Sequence, residues 1–345
     1  MRGPERKEEA MFIDVMIAKA KADRKTIVLP EGNDERVLGG AEKALAAGIA
    51  DLIILGDEKD PKVAKYNLEG ATFINPATSP LTAELAEGLY ECRKHKGMTP
   101  EDAAKKILDV TYFGVMLVKT GRADGMVCGA CHSTADMLRP ALQIIKTAPG
   151  CHSVSSFFIM EVPGCTEYGA SLAGGEERGL FLFSDCGLEV QPDAETLAHI
   201  GLAAAKSWRT ITGLEPHVAF LSHSTYGSSK KDDALKVVEA TQRAKELAPE
   251  LALDGELQLD AALVPEVAAL KAPDSPVAGH ADVLIFPDID AGNIGYKLVQ
   301  RLAKANAYGP ITQGMARPAN DLSRGCSAED VFGVIAITCV QAQAC

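Results

Sequence analysis

The chain has 345 residues, 47% of them hydrophobic and only 5% aromatic, with a formal net charge of -12. That length supports one large or two medium domains around an Ala/Val/Leu/Ile core, and the acidic balance argues against nucleic acid or an anionic membrane as partner, since both need an extended basic face. No apolar run approaches a membrane span, the charged stretch 1–9 lacks the apolar centre of a signal peptide, and nine scattered cysteines make no disulfide framework, so a soluble cytoplasmic protein is expected.

In chain order, Met11, Phe12, Val15, Met16 and Ala18 recur at helical spacing. Residues 26–30 read as a buried strand, Asn33 or Asp34 as the cap of a helix over 36–47 that stops at Gly48, and 51–56 as the next strand. This βαβ unit implies a parallel sheet. Helices are predicted over 80–94 and 100–120, a short strand over 125–128, then a polar loop and a helix over 135–146. Further strands fall at 154–161, 180–183, 218–221 and 283–286, separated by helices at 194–212, 234–247 and 263–270, the alternation of an α/β fold. The glycine-rich, acidic stretch 164–179 reads as a hairpin or excursion, and Pro149-Gly150 marks the best domain boundary.

The chain lacks Gly-x-Gly-x-x-Gly, a Walker loop and His-Glu-x-x-His, which removes weight from NAD, ATP and zinc. Cys128-Gly129-Ala130-Cys131 has no second pair at ligand spacing, so small buried cysteines are the better reading there. An anionic small ligand would need focused cations, which Arg93, Arg139, Lys230, Lys231, Lys297 and Arg324 supply at loop-like places. In the loop 128–136, Ser133 and Thr134 with free N–H groups could cradle a phosphate, or either hydroxyl could cap the helix carrying Arg139. Residues 292–297 read as a glycine-permitted turn opening a helix or as an anion nest. Near the C-terminus, Ser327 and Asp330 spell a capping box before the apolar run 331–337. The same stretch holds the hydroxyl of Ser323, the guanidinium of Arg324 and the carboxylate of Asp330, the groups acyl transfer needs for oxyanion, phosphate and proton.

Four segments taken together resemble one family: Arg93-Lys94-His95-Lys96-Gly97; His132-Ser133-Thr134-Ala135-Asp136-Met137-Leu138-Arg139-Pro140; Phe286-Pro287-Asp288 leading to Gly292-Asn293-Ile294-Gly295-Tyr296-Lys297; and Tyr308-Gly309-Pro310-Ile311-Thr312-Gln313-Gly314 leading to Ser323-Arg324. They are similar to the phosphate acetyl/butyryltransferase family in its short, single-module form, over residues 26–343. The resemblance implies two three-layer α/β/α domains with a cleft between them, akin to isocitrate and isopropylmalate dehydrogenases. Residues 1–150 with 313–345 would form the first domain and 151–312 the second, the latter also supplying the contact of a homodimer.

The implied reaction is reversible acetyl transfer between acetyl phosphate and coenzyme A by direct thiol attack in a ternary complex, with coenzyme A a substrate and no resident cofactor or metal. By the same resemblance Asp330 deprotonates the thiol, Ser323 steadies the transition state, Arg324 orients acetyl phosphate, and Arg93 and Arg139 serve the coenzyme or phosphate. Ser133, Thr134, Asn293, Tyr296, Lys297, Gln313 and Gly314 are the implied substrate contacts, with the loop 222–231 a weaker candidate. Two departures stand out: Cys128 replaces a hydroxyl residue, and 164–179 is longer than usual. Cys165 resembles a cysteine near the family's active site, but no activating His lies near it in sequence, which disfavours an acyl-cysteine route. An Asp is a weak base beside a thiol of pKa about 8.5, so burial of Asp330 or concerted proton transfer is expected. Competing readings are transfer of propionyl or butyryl groups, a metal-dependent NAD(P) oxidative decarboxylase using Asp282, Asp288 and Asp290, and a non-catalytic sensor of the kind fused to malic enzymes.

Overall fold

A computed structural model describes residues 11–172 and 178–345, so part of the expected 164–179 excursion lies outside the described residues. Along the chain run α1 (Phe12–Ala22), β1 (Lys25–Leu29), α2 (Glu35–Ala47), β2 (Ala50–Leu55), β3 (Thr72–Ile74), α3 (Thr82–Arg93), α4 (Pro100–Lys106), α5 (Val110–Lys119), β4 (Gly125–Cys128) and α6 (Thr134–Ile144). Then follow β5 (Ser155–Glu161), β6 (Leu180–Ser184), α7 (Ala194–Thr212), β7 (Val218–Leu221), α8 (Asp232–Leu247), β8 (Leu253–Leu257), α9 (Leu259–Leu263), α10 (Pro265–Lys271), β9 (Val283–Ile285), α11 (Ile289–Leu302), β10 (Asn306–Gln313), β11 (Ala319–Asp321) and α12 (Ala328–Gln343).

Two compact units result. A flanking unit comprises Ile17–Val154 and Tyr308–Cys345; a middle unit comprises Ser155–Ala307 and the start of α1 up to Met16. The flanking unit carries a sheet of order β11-β4-β1-β2-β3 in which every pairing is parallel. Its order reverses direction between β1 and β4, the switch point at which open α/β sheets bind ligands beyond the carboxyl ends of their strands. The middle sheet has the order β10-β5-β6-β9-β7-β8, with β5 antiparallel to β6 and the pairs β6–β9, β9–β7 and β7–β8 parallel. β4 and β6 are buried along their whole length, as apolar strands covered on both faces must be.

Local chemistry fixes the helix ends. Asp34 caps α2 by accepting the Arg36 N–H, and Gly48 ends it at φ +67°. Gly40 of α2 lies so close to α12 that a Cβ there would fall 2.5 Å from Val331 Cγ1. The single helix expected over 100–120 is instead α4 and α5, because the Asp109 carboxylate caps a new start at Thr111 and Tyr112. The helix expected over 263–270 likewise becomes α9 and α10, with Pro265 at the first position of the second. Four strands are additional to those expected: β3, β8, β10 and β11.

Candidate active site

The carboxyl edge of the flanking sheet gathers the chemistry. One residue beyond Pro30 at the end of β1, Glu31 is 2% exposed, and it accepts hydrogen bonds from the backbone N–H groups of Gly129, Ala130, Cys131 and His132 at 2.7–3.0 Å. The imidazole Nδ1 of His132 lies 2.7 Å from the same carboxylate. The loop after β4 is therefore wrapped around a protein carboxylate, and these N–H groups are not free for phosphate as the sequence had suggested. Glu31, Cys128 and His132 bring three potential ligand atoms within 4.8 Å, but a metal ion there would have to displace the N–H donors from Glu31, and burial holds the Cys128 thiol protonated, well above its ordinary range.

Arg36 ties this loop to the next. Its guanidinium donates to the carbonyl of Ala130 at 2.8 Å and to that of Arg324 at 2.6 Å, while Asp34 braces it through Nε and Nη2. The Arg36 hydrogen bonds hold the Asp34 carboxyl well below the usual carboxylate range, so the brace is ionised. Cys131, expected to be buried, is exposed, and its thiol donates to Asp34 Oδ2 at 3.1 Å. Burial and that bond push the thiol up to about 11, which makes it a poor nucleophile.

Two strands from β1, on β11, Asn320 accepts from the N–H and hydroxyl of Thr312 and donates to Thr338 and Gln341, fastening the strand to α12. The chain then leaves the sheet as Leu322-Ser323-Arg324. Ser323 and Arg324 are both exposed, with Ser323 Oγ accepting from the Gly325 N–H at 3.2 Å. Ser327 and Asp330 form the expected capping box: Asp330 Oδ2 accepts from the Ser327 N–H at 2.8 Å and from its hydroxyl at 2.9 Å. Asp330 is exposed, where burial had been one expectation. Both capping bonds reach Oδ2, so Oδ1 takes no part in the cap.

Ser133 is the N-cap of α6, and Thr134 donates to Asp321 Oδ2 at 2.5 Å. Arg139 stands exposed one turn on, paired at 3.6 Å with Asp136, while the half-buried Arg93 ends α3, a helix packed against α6. Gln313 is buried at the end of β10, and Gly314 takes φ +83° where a Cβ would strike the Ser153 carbonyl at 2.5 Å. The flanking unit thus holds Arg93, Ser133, Thr134, Arg139, Gln313, Gly314, Ser323, Arg324 and Asp330.

The middle unit holds the others. Residues 292–297 form neither a turn nor a nest but the body of α11, capped by Asp288, with Gly292 required because a Cβ would sit 2.3 Å from the Asp185 carbonyl. Asn293 Nδ2 donates to the Cys186 carbonyl at 3.0 Å. Tyr296 stacks on Phe158 with centroids 4.1 Å apart, and exposed Lys297 lies 5.7 Å from the tyrosine ring. Cys165 is half-buried with its thiol directed at the Tyr168 carbonyl. The hydroxyls of Ser224 and Ser228 and the Gly227 N–H fold the 222–231 loop around buried Glu256, using the groups that had suggested a ligand contact. The three aspartates of the metal alternative do not assemble: Asp282 precedes β9 and binds His217, whereas Asp288 and Asp290 follow the strand at its other end.

Sequence reasoning missed Glu31, Arg36 and Asp321. Pro30-Glu31 at a predicted strand end was the one available signal for the first of these. Fold and strand-edge loops define a two-unit α/β protein of the doubly wound kind, with candidate site residues beyond the carboxyl ends of parallel strands. The chain belongs to the phosphate acetyl/butaryl transferase family, which it matches over residues 11–339. It is 57% identical to a phosphate acetyltransferase of Acetivibrio thermocellus over 96% of this chain and 98% of that one. A crystal structure of a phosphotransacetylase from Streptococcus pyogenes superposes with a TM-score of 0.89 at 46% identity, covering 97% of this chain and 98% of that one. The 4-hydroxythreonine-4-phosphate dehydrogenase of Klebsiella pneumoniae, at 13% identity, TM-score 0.53 and coverage of 93% and 100%, shares the fold alone.

Proposed function

We propose that this chain catalyses reversible transfer of an acetyl group between acetyl phosphate and coenzyme A. The 57% identity to a phosphate acetyltransferase over nearly the whole chain carries this reading, and the strand-edge geometry supports the roles given below. The thiol loses its proton to Asp330 Oδ1 as sulfur attacks the acetyl carbon, the carbon–oxygen bond to phosphate breaks, and inorganic phosphate leaves. Because an ordinary carboxylate is a far weaker base than a thiolate, proton transfer accompanies attack rather than preceding it. Ser323 and Arg324, on the loop that leads into the first turn of α12 where Asp330 stands, stabilise the oxyanion and the departing phosphate, while Arg93 and Arg139 on α3 and α6 hold the phosphates of the coenzyme or the acyl phosphate.

Ser133, Thr134, Gln313, Gly314, Asn293, Tyr296 and Lys297 complete the substrate contacts in this reading. Tyr296 and Gly314 also have evident packing roles, so their substitution tests binding less cleanly. Cys165 takes no covalent part. Coenzyme A is a substrate, no cofactor is resident, and the enzyme works in the cytoplasm; no helix among the described residues is long and apolar enough to cross a membrane. The exposed row Ile294, Leu298 and Leu302 on α11 supports a homodimer through the middle unit.

The test is coenzyme A-dependent release of phosphate from acetyl phosphate, with propionyl and butyryl phosphate run alongside. Acetyl phosphate is expected to give the highest kcat/KM. Asp330→Asn is expected to lose about 100-fold or more in kcat with KM little changed, and turnover retained in that variant would remove Asp330 from the mechanism.

A further inference from the structure

We infer that Asp321 is a positioning residue for acyl transfer: its ionised carboxylate, set against Gly129 and bonded to Thr134, fixes the register in which the Ser323–Arg324 loop leaves β11. The inference rests on the acyltransfer reading of these loops.

Asp321 is the last residue of β11, paired with Cys128 of β4, and the next N–H, that of Leu322, donates to the Cys128 carbonyl at 2.8 Å. It is 4% exposed. Oδ2 receives the Thr134 hydroxyl at 2.5 Å, but Oδ1 has no hydrogen-bond partner among the described residues. A Cβ on Gly129, which takes φ +123°, would lie 2.2 Å from Oδ1 and 2.6 Å from the Leu322 nitrogen, so the backbone after β4 closes directly over the carboxylate. The carboxylate is therefore bonded to Thr134, beside Ser133, and sits on the strand end from which the chain passes through Leu322 into Ser323 and Arg324.

An ionised oxygen buried without a partner destabilises the fold, and an asparagine of the same shape would remove the charge at no cost in volume. Charge retained at such a place serves function rather than stability. The titratable groups facing Asp321 are Glu31 from the end of β1 and the Cys128 thiol from β4; α6 presents the neutral Thr134 hydroxyl. Burial, with a smaller push from Glu31, raises the carboxyl to about 6, while the Thr134 bond and the nearby Leu322 N–H act in the opposite direction. Below that pH the carboxyl takes a proton, its charge-assisted bond to Thr134 weakens, and the two loops lose their common anchor.

Folding raises this carboxyl above its ordinary value of 3.8, so its contribution to stability is full below pH 3.8 and is lost as pH rises through 6. Asp321→Asn, measured against the parent by thermal melting and by kcat from pH 4 to 9, is expected to melt higher than the parent at pH 8, with the gap closing toward pH 4. It should turn over about tenfold more slowly at pH 8, without the parent's acid limb near pH 6. Thr134→Val is expected to move that limb to higher pH. An asparagine variant with the parent's kcat and acid limb, one that melts lower than the parent at pH 8, a parent without an acid limb near 6, or an unmoved limb in Thr134→Val each overturns the inference. A parent that releases no phosphate from any acyl phosphate instead fails the acyltransfer reading, while the melting curves still report on the buried charge.

Discussion

Glu31 does at the residue scale what a bound anion does in phosphate-binding loops: a concave run of backbone N–H groups closes on a negative charge, here one the chain supplies itself. Asp185 repeats the device at the end of β6 in the middle unit, accepting the N–H groups of Gly187, Leu188 and Glu189. Glu31→Gln places an NH2 donor against N–H groups that now donate, leaving buried donors without acceptors at roughly 1–3 kcal/mol each. Urea unfolding of that variant is expected to show about 3 kcal/mol less stability than the parent, together with a large fall in activity as the loop before Ser133 opens. A variant as stable as the parent would mean that water or a rearranged loop satisfies these groups, and Glu31 would lose its organising role.

At the scale of elements, the approach of α2 to α12 decides where the capping box carrying Asp330 stands. Gly40→Ala improves helix propensity by about 1 kcal/mol, yet its Cβ meets Val331 at both Cβ and Cγ1 and approaches the Ala328 carbonyl to 3.1 Å. Overpacking of that kind costs about 1–3 kcal/mol, so a net loss of stability and a displaced α12 start are expected. Gly88→Ala on α3 is the control, since its Cβ meets only the mobile end of Met116, and it should melt at or above the parent temperature. Equal melting shifts for the two variants would mean that α2 and α12 have room to spare. The sequence made α2 legible because Asp34 and Gly48 mark its ends and the apolar runs of β1 and β2 flank it. β11 was not legible. Ala319-Asn320-Asp321 is polar, and it is buried as a strand only because Thr312, Thr338, Gln341 and Thr134 reach it from elsewhere. β8 hid in the same way, with Asp254 bonded to Lys245 and Ser275, and Glu256 to Ser224. Ser323, Arg324 and Asp330 could be proposed from their motif, but the four N–H donors around Glu31 could not be anticipated, because they follow 98 to 101 residues later.

For the whole molecule, a net charge of -12 keeps copies apart unless an apolar surface brings them together. The homodimer proposed above would use α11, where Ile294, Leu298 and Leu302 recur at four-residue spacing and are 59%, 52% and 79% exposed, on a helix that packs against β5 and β6. Large apolar side chains aligned along one exposed helical face mark an association surface, whereas single exposed leucines do not. Sedimentation of the parent at micromolar concentration is expected to give twice the chain mass. Leu298→Glu with Leu302→Glu should give the chain mass, because a paired two-fold interface would bury four added carboxylates against one another. The proposed catalytic groups of the flanking unit all come from one chain, so the monomeric variant is expected to keep its phosphate-release chemistry while losing thermal stability that depends on protein concentration. A parent that sediments as a single chain, or a double variant that remains dimeric, removes α11 as the contact and leaves its apolar row without an occupant.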